Sequence, residues 1–157
     1  MLIIQLKEPY YYTDTVVNIK LTEEGETVLD FSELKLTDRS PIYLQLIRYV
    51  KSSIVSGSVQ NGEEMPSRRL LSSLLGINPN TIQKAYRMME EEGFIVSHAG
   101  SGSIVTFTGE TASALRRQLI LEDTRDYLAS LKTMGLTLEE ASALLKEVWS
   151  EEKEEEQ

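Results

Sequence analysis

Apolar positions between residues 41 and 107 recur at the spacing of three short helices followed by a hairpin. The first helix is predicted to run from Pro41 to about Ser56 and to end at Gly57. Arg48 and Lys51 fall on its other faces, where they either meet phosphates or stay solvated. Its apolar face comprises Tyr43, Leu46, Ile47, Val50 and Ile54.

The second helix is predicted to follow Ser67, because a serine hydroxyl accepts a hydrogen bond from a free N–H group of the first turn. It ends at Gly76, a residue type that adopts left-handed geometry at little cost. Its apolar stripe is formed by Leu70, Leu71, Leu74 and Leu75. Its outer face is predicted to carry Arg68, Arg69, Ser72 and Ser73.

The third helix is predicted to start at Asn78 and Pro79, since Asn is a favoured N-cap and Pro loses no hydrogen bond at the first helical position. A helix, a short turn containing glycine and a second helix form the helix-turn-helix pattern. The core face is predicted to comprise Ile82, Ala85, Tyr86 and Met89. The outward face comprises Asn80, Thr81, Gln83, Lys84 and Arg87.

Gly93 is predicted to stop this helix, and residues 94–97 and 103–107 then form two strands around a glycine-rich tip. A hairpin directly after a helix-turn-helix is a wing, whose tip can approach a neighbouring minor groove. His98 at the tip either donates to a phosphate or only decorates the turn, and Gly100 and Ser101 complete the tip. Between residues 60 and 64 a plain turn is expected.

The first residues of the second helix in a helix-turn-helix reach base edges in the major groove. Asn and Gln suit adenine, Arg and Lys suit guanine, and the Thr methyl group suits thymine. Arg87 either takes part or pairs with Glu91 four residues later. Asn78, Pro79 and Ser67 are also required by the helix starts. The candidate DNA-binding residues are Ser67, Arg68, Arg69, Asn78, Pro79, Asn80, Thr81, Gln83, Lys84, Arg87, His98, Gly100 and Ser101.

The segment 1–36 shows alternating apolar positions on both sides of a polar turn at residues 22–26, which predicts a β-hairpin. The alternating residues are Val17, Ile19 and Leu21, and then Leu29 and Phe31. A sheet this small needs a surface to pack on, either the winged domain or a partner subunit. The three consecutive tyrosines at residues 10–12 either pack in an extended segment or stack on a ligand.

After a break at Gly109, a long helix is predicted from Glu110 to about Met134, and a capping box at residues 137–140 starts another. Two amphipathic helices joined by a turn need a partner for their apolar faces, which favours pairing with a second copy. The acidic residues from Glu151 onward are expected to fray. Predicted dimerisation residues are Ile120, Tyr127, Leu128, Leu131, Leu138, Leu145, Val148 and Trp149.

The predicted fold is therefore mainly α with a small β component. Residues 1–36 form a short N-terminal β extension, and residues 37–108 form a winged helix-turn-helix domain that binds DNA. Residues 109–152 form a C-terminal helical dimerisation hairpin, and residues 153–157 form an acidic tail.

The order PIYLQL, MPSRRLLSSLLGINPNTIQKAYRMMEEEGFI and GSGSIVTF resembles the GntR-type winged-helix regulators of bacteria, and the short tail resembles their YtrA-like branch. The resemblance covers residues 40 to about 152. It implies a dimeric repressor of its own or a neighbouring transporter operon, binding a palindromic operator and released by a small-molecule effector of unknown identity. Two positions depart from the family: Ser101, where relatives usually carry a basic residue, and Arg68, where they often carry Glu.

The formal net charge of −9 changes this picture little, because the acidic side chains concentrate at both ends. The net charge is −4 for residues 1–40, +1 for residues 41–107 and −6 for residues 108–157. Local charge placement governs contact with DNA, and so few cations predict a shallow salt dependence. The alternative is a winged-helix module that binds a basic protein through its acidic ends.

Other functional classes find little support in the sequence. With one His and no Cys, a His/Cys metal site is not expected, and no phosphate-binding loop or nucleophile elbow is present. We therefore expect no enzyme, no cofactor and no metal. The N-terminus lacks the features of a secretory signal, and no apolar run reaches membrane-spanning length, so a cytoplasmic location without membrane contact is expected.

Overall fold

The computed structural model describes residues 28–100 and 102–155, with side chains described as far as Glu151. The chain divides into two compact units, the first ending at Leu115 and the second beginning at Arg116. The elements in chain order are α1 (Ile42–Ser56), β1 (Glu64–Met65), α2 (Arg68–Leu75), α3 (Pro79–Glu91), β2 (Ile95–His98), β3 (Gly102–Val105), α4 (Gly109–Thr133) and α5 (Leu138–Glu155).

The described part of the first unit contains three complete helices, the start of α4 and a small antiparallel sheet, which confirms the mainly α winged-helix prediction. The strand order is β1-β3-β2, and Ser97 of β2 lies opposite Ser103 of β3. The expectation of a plain turn at residues 60–64 is wrong at its end, because Glu64 and Met65 form a third strand against β3. The residue before this strand continues the pairing, because the Val105 N–H donates to the Glu63 carbonyl at 2.8 Å.

The predicted helix ends around the turn of the helix-turn-helix are confirmed. The Leu70 N–H donates to Ser67 Oγ at 3.1 Å, and the Asn80 N–H donates to Asn78 Oδ1 at 2.8 Å. Gly76 has φ 62°, and this left-handed conformation turns the chain between α2 and α3. The two caps and Gly76 therefore keep the connection between α2 and α3 short.

The core of the first unit contains the predicted face of α3, whose four apolar side chains are at most 1% exposed. Leu29, Phe31 and Leu34 also belong to this core, so the described end of the N-terminal extension packs on the winged domain. Phe31 stacks on Tyr49 with ring centroids 5.1 Å apart, and the Tyr49 hydroxyl donates to the Asp30 carbonyl at 2.7 Å.

The alternation of Leu29 and Phe31 does not mark a strand. Among the described residues, a single parallel bridge forms there, between Val28 and Glu64, and the Leu29 and Phe31 side chains are buried in the core. The rest of the predicted hairpin, with Val17, Ile19, Leu21 and the turn at residues 22–26, and the tyrosines at residues 10–12 lie outside the described residues.

Both predictions for Lys51, contact with a phosphate and exposure to solvent, are wrong because its side chain is buried and paired. Its side chain is 7% exposed, and Nζ lies 2.5 Å from Glu92 Oε2 and 5.3 Å from the centroid of the Phe94 ring. The carboxylate and the ring together compensate the ammonium for the water it loses. Lys51 therefore joins α1 to the chain that leaves α3.

Gly109 is not a break but the first residue of α4. The hydroxyl of Thr108 accepts a hydrogen bond from the Thr111 N–H at 3.2 Å, so a threonine cap starts the helix one residue before the expected position. The start of α4 belongs to the first unit, where Leu115 joins the core and Ala112 packs against it.

In the second unit, the predicted capping box is confirmed. The Thr137 N–H donates to Glu140 Oε2 at 2.8 Å, and the Glu140 N–H donates to Thr137 Oγ1 at 3.2 Å. The hydrogen bond from the Thr137 backbone N–H, together with one from the Thr137 side chain, holds the pKa of the Glu140 carboxyl below its ordinary value. The expectation that the chain frays from Glu151 is wrong as far as Glu155, where α5 ends.

Most apolar side chains of the second unit remain accessible. Between residues 116 and 151, only Leu119, Leu131 and Ala141 are buried among the apolar side chains that the structure describes. Of the predicted dimerisation residues, Leu131 is buried within the chain and Leu128 is half-buried. The exposed ones are Ile120, Tyr127, Leu138, Leu145, Val148 and Trp149. Within the described ranges, no helix is apolar and long enough to cross a membrane.

Candidate nucleic-acid interface

A polar ridge on the first three turns of α3 is the candidate interface, and we name it the recognition ridge. It has no acidic residue in its first turn. Thr81 is half-buried and the other four residues are exposed, so the predicted outward face is confirmed. The recognition ridge comprises Asn80, Thr81, Gln83, Lys84 and Arg87.

The buried face of α3 determines where the recognition ridge points. Tyr86 is 1% exposed, and its hydroxyl donates to the Pro66 carbonyl at 2.5 Å. Burial raises the pKa of the Tyr86 phenol well above its ordinary value, and the nearby Arg68 guanidinium opposes this rise. Because the phenol stays a neutral donor, the hydrogen bond ties α3 to the segment between β1 and α2.

Lys84 has a partner that the sequence analysis missed. Its Nζ lies 3.6 Å from the centroid of the Tyr43 ring on α1, within the range of a cation–π interaction. The apolar spacing assigned Tyr43 to the core, but the side chain is only partly buried and its ring face carries the ammonium of the recognition ridge. No local pattern links two residues that lie forty-one positions apart in sequence.

Arg87 adopts one of its two predicted arrangements in the free chain. Its Nε lies 3.5 Å from Glu91 Oε1, and both side chains are 65% exposed. An exposed pair at this spacing contributes little free energy and exchanges readily for another anion. Contact between Arg87 and a DNA phosphate therefore stays a prediction.

The two neighbouring arginines in the first turn of α2 have different environments. Arg69 is exposed and makes no ion pair with any residue that the structure describes. The outer-face prediction is wrong for Arg68, whose guanidinium lies 4.9 Å from the centroid of the Tyr86 ring and 3.0 Å from Glu90 Oε1. It is also wrong for Ser72, whose half-buried hydroxyl donates to the Ile77 carbonyl at 2.6 Å.

The tip of the wing, residues 98–102, carries no Lys, Arg, Asp or Glu. His98 and Gly100 are exposed, and His98 pairs with Gly102 at the end of the hairpin. Gly100 and Gly102 have φ 84° and 83°, which allows the tight reversal. Ser101 lies outside the described residues. In the described part of the chain, no group of three His, Asp or Glu side chains is arranged to hold a metal ion.

A three-helix core, a recognition ridge on the second helix of a helix-turn-helix and an adjoining wing define a winged-helix DNA-binding protein. Residues 42–105 match the family of bacterial regulatory proteins described as the gntR family. The chain is 30% identical to the HTH-type transcriptional repressor YtrA of Bacillus subtilis over 110 residues, which are 69% of this chain and 85% of that protein. The chain belongs to the gntR family and is a DNA-binding transcriptional regulator.

Two further similarities agree with this assignment. The transcriptional regulator YhcF of Bacillus subtilis is 32% identical over 100 residues, which are 64% of this chain and 83% of that protein. A solved GntR family transcriptional regulator from Listeria monocytogenes is 29% identical, with a TM-score of 0.62, and the match covers 71% of this chain and 98% of that one. The resemblance to the YtrA-like branch thus extends beyond the DNA-binding domain.

Proposed function

We propose that the chain is a dimeric cytoplasmic repressor whose recognition ridge enters the major groove of a palindromic operator. The observation that carries this proposal is the two-sided character of α3. Four of its apolar side chains are at most 1% exposed, while amide, hydroxyl and amine groups occupy the accessible side of its first turns. These are the group types that pair with base edges.

The proposed contacts fall into three groups. Asn80, Thr81, Gln83 and Lys84 face base edges, while Arg69 and Arg87 meet phosphates. His98, Gly100 and Ser101 bring the wing to the neighbouring minor groove. Ser67, Asn78 and Pro79 lie at the helix starts, where they present backbone groups to the phosphate chain. Arg68 is left out of the contact set because Glu90 and Tyr86 already engage its guanidinium.

A second copy of the chain is the proposed partner of the second unit. Leu138 and Trp149 are 69% and 64% exposed, and Ile120 and Leu145 are each 53% exposed. Apolar side chains this accessible on two consecutive helices favour association, and two-fold dimers are the commonest assembly. A two-fold dimer presents two recognition ridges to the two halves of a palindrome.

The proposed role as a repressor of its own or a neighbouring transporter operon is supported by the similarity to a repressor named YtrA. We further propose that a small-molecule effector acts through the dimer interface.

The experiment is a fluorescence anisotropy titration of the full-length chain with the DNA upstream of its own gene, repeated at several salt concentrations. Lys84→Ala and Arg69→Ala should each weaken binding about tenfold, and Arg69→Ala, which removes a proposed phosphate contact, should also lower the salt slope by about one. Lys146→Ala is the matched control, because it removes an exposed lysine from α5 and should change neither quantity.

Asn80→Ala probes the reading of bases rather than phosphates. It should weaken binding to the specific site by roughly 1–3 kcal/mol while leaving binding to unrelated DNA unchanged. If the wild-type chain binds both DNAs equally, or binds neither at low salt but captures a basic protein, the proposed function is wrong and the protein-interaction alternative gains.

A further inference from the structure

A four-residue cluster joins α2, the end of α3 and both strands of the wing, and we name it the Arg68 clamp. Arg68 Nη2 donates to Glu90 Oε1 at 3.0 Å and to Ser97 Oγ at 3.1 Å. The Ser97 hydroxyl donates to the same oxygen of Glu90 through a short hydrogen bond. Ser97 Oγ lies 2.6 Å from Ser103 Oγ. The clamp comprises Arg68, Glu90, Ser97 and Ser103.

The direction of each serine hydrogen bond in the clamp follows from a hydrogen count, whereas Arg68 Nε is buried without a hydrogen-bond partner among the described residues. A serine hydroxyl has one hydrogen and two lone pairs. Since Ser97 gives its hydrogen to Glu90, it accepts from Arg68 and from Ser103. Ser97 thus uses its full hydrogen-bonding capacity inside the clamp. This arrangement needs both the Arg68 cation and the Glu90 carboxylate. A serine hydroxyl is neutral, so neither serine can compensate for the loss of one of these charges.

The burial of β2 shows why the wing needs this clamp. Ile95 is 1% exposed and anchors the start of the strand in the core, whereas the three following residues are exposed. Beyond Ile95, the Ser97 hydroxyl connects the outer strand to α2 and α3 through its hydrogen bonds with Arg68 and Glu90. The Tyr86 ring also holds Arg68 in place, because the guanidinium lies 4.9 Å from the centroid of this buried ring.

We propose that Arg68 is a positioning residue that sets the wing relative to the recognition ridge, and that it acts on DNA binding through Ser97 rather than through a phosphate. The cation at this position is neutralised locally by Glu90, and both side chains are only about one-third exposed. The proposal rests on the proposed function for its effect on DNA, but the position of the wing is a property of the free chain.

The test is a charge exchange within the clamp. Arg68→Glu and Glu90→Arg each place two like charges together, and each should weaken operator binding about tenfold and speed hydrogen exchange of the wing amides about tenfold. The double variant restores an opposite-charge pair. An arginine at position 90 can also cover Tyr86, because the two positions are four residues apart on α3. Both readouts should return to within about threefold of wild type.

Arg69→Glu is the matched control, because it reverses the neighbouring exposed cation without touching the clamp. It should weaken DNA binding and leave hydrogen exchange of the wing amides unchanged. Adding Glu90→Arg to it should not restore DNA binding. Ser97→Ala is a milder variant for the case in which a charge reversal fails to fold. It removes the link to β2 and should speed exchange of the wing amides while leaving the cores of α1 and α3 protected.

Two results would overturn the proposal. If Arg68→Glu weakens binding with unchanged wing exchange and the double variant stays weak, Arg68 contacts DNA directly. If the variants lower the melting temperature but the folded protein binds DNA normally, the clamp contributes stability alone. Hydrogen exchange is measured on the full-length chain without DNA, so a failure of wild-type DNA binding refutes the proposed function and leaves this inference separately tested.

Discussion

Lys84 Nζ lies 3.6 Å from the centroid of the Tyr43 ring, so one of the two cations of the recognition ridge lies on the face of an aromatic side chain from α1. A lysine side chain has several rotatable bonds, and ordering it on binding has an entropic cost. A ring that already holds the ammonium reduces that cost. The relationship adds Tyr43 to the candidate interface, although its spacing in α1 is that of a core residue.

Replacing the Tyr43 ring therefore tests whether the ring positions Lys84. Tyr43→Leu should weaken operator binding about two- to fivefold, because an exposed cation–π interaction contributes roughly 0.5–1 kcal/mol. Tyr43→Phe keeps the ring and should stay within about twofold of wild type by anisotropy. In a Lys84→Ala background, Tyr43→Leu should add nothing. Equal losses for Phe and Leu would instead assign the effect to the hydroxyl group.

The buried hydrogen bond of Tyr86 predicts a pH-dependent stability. Tyr86→Phe should lower the free energy of unfolding at neutral pH by about 1–2 kcal/mol, since it leaves the Pro66 carbonyl without its donor. The folded-state pKa of Tyr86 lies above its ordinary value, so the unfolded chain ionises first as the pH rises past about 10. The stabilisation is present below that pH and is lost above it.

Urea denaturation of wild type and Tyr86→Phe at several pH values measures this effect. The difference in unfolding free energy between the two proteins should shrink from pH 9 to pH 11. Comparing the two proteins at each pH removes the contributions that the other tyrosines share. A constant difference would show that Tyr86 has the same pKa in the folded and unfolded chains.

The ion pair of Lys51 with Glu92 should contribute more to the free energy of unfolding than the exposed pair of Arg87 with Glu91. Lys51→Ala should lower the free energy of unfolding by about 1–2 kcal/mol, a value reduced from that of a fully buried pair because Glu92 is 41% exposed. Lys51→Met keeps the contact with Phe94 and should cost under about 1 kcal/mol. Arg87→Ala, which breaks the exposed pair with Glu91, should stay within about 0.5 kcal/mol.

The proposed dimer is tested by light scattering on full-length variants. Leu145→Glu should give monomers, because it places a charge in the centre of the exposed apolar stripe of α5. Lys146→Glu changes the next residue, about 100° further around the helix, and should remain dimeric. A point substitution is preferable to removing the chain from Gly109 onward, since that cut would also remove Leu115 from the core. A dimeric Leu145→Glu variant would exclude this stripe as the interface.

The features that the sequence by itself determined are those that depend on neighbours within a few positions. Ser67 and Asn78 cap their helices, Thr137 and Glu140 form a capping box, and Gly76 turns the chain, as predicted. The recognition ridge was predictable for the same reason. A 3.6-residue period that assigns Ile82, Ala85, Tyr86 and Met89 to the core leaves the residues between them outside.

What only the tertiary structure decided involves residues far apart in the chain. Glu64 and Met65 form a strand because they pair with backbone groups of β3. The segment around Phe31 packs in the core because Phe31 stacks on Tyr49 of α1. Local periodicity placed the long cations Lys51 and Arg68 on outer faces. Their side chains instead reach carboxylates and aromatic rings supplied by other elements, and only the packing of those elements brings such groups within reach.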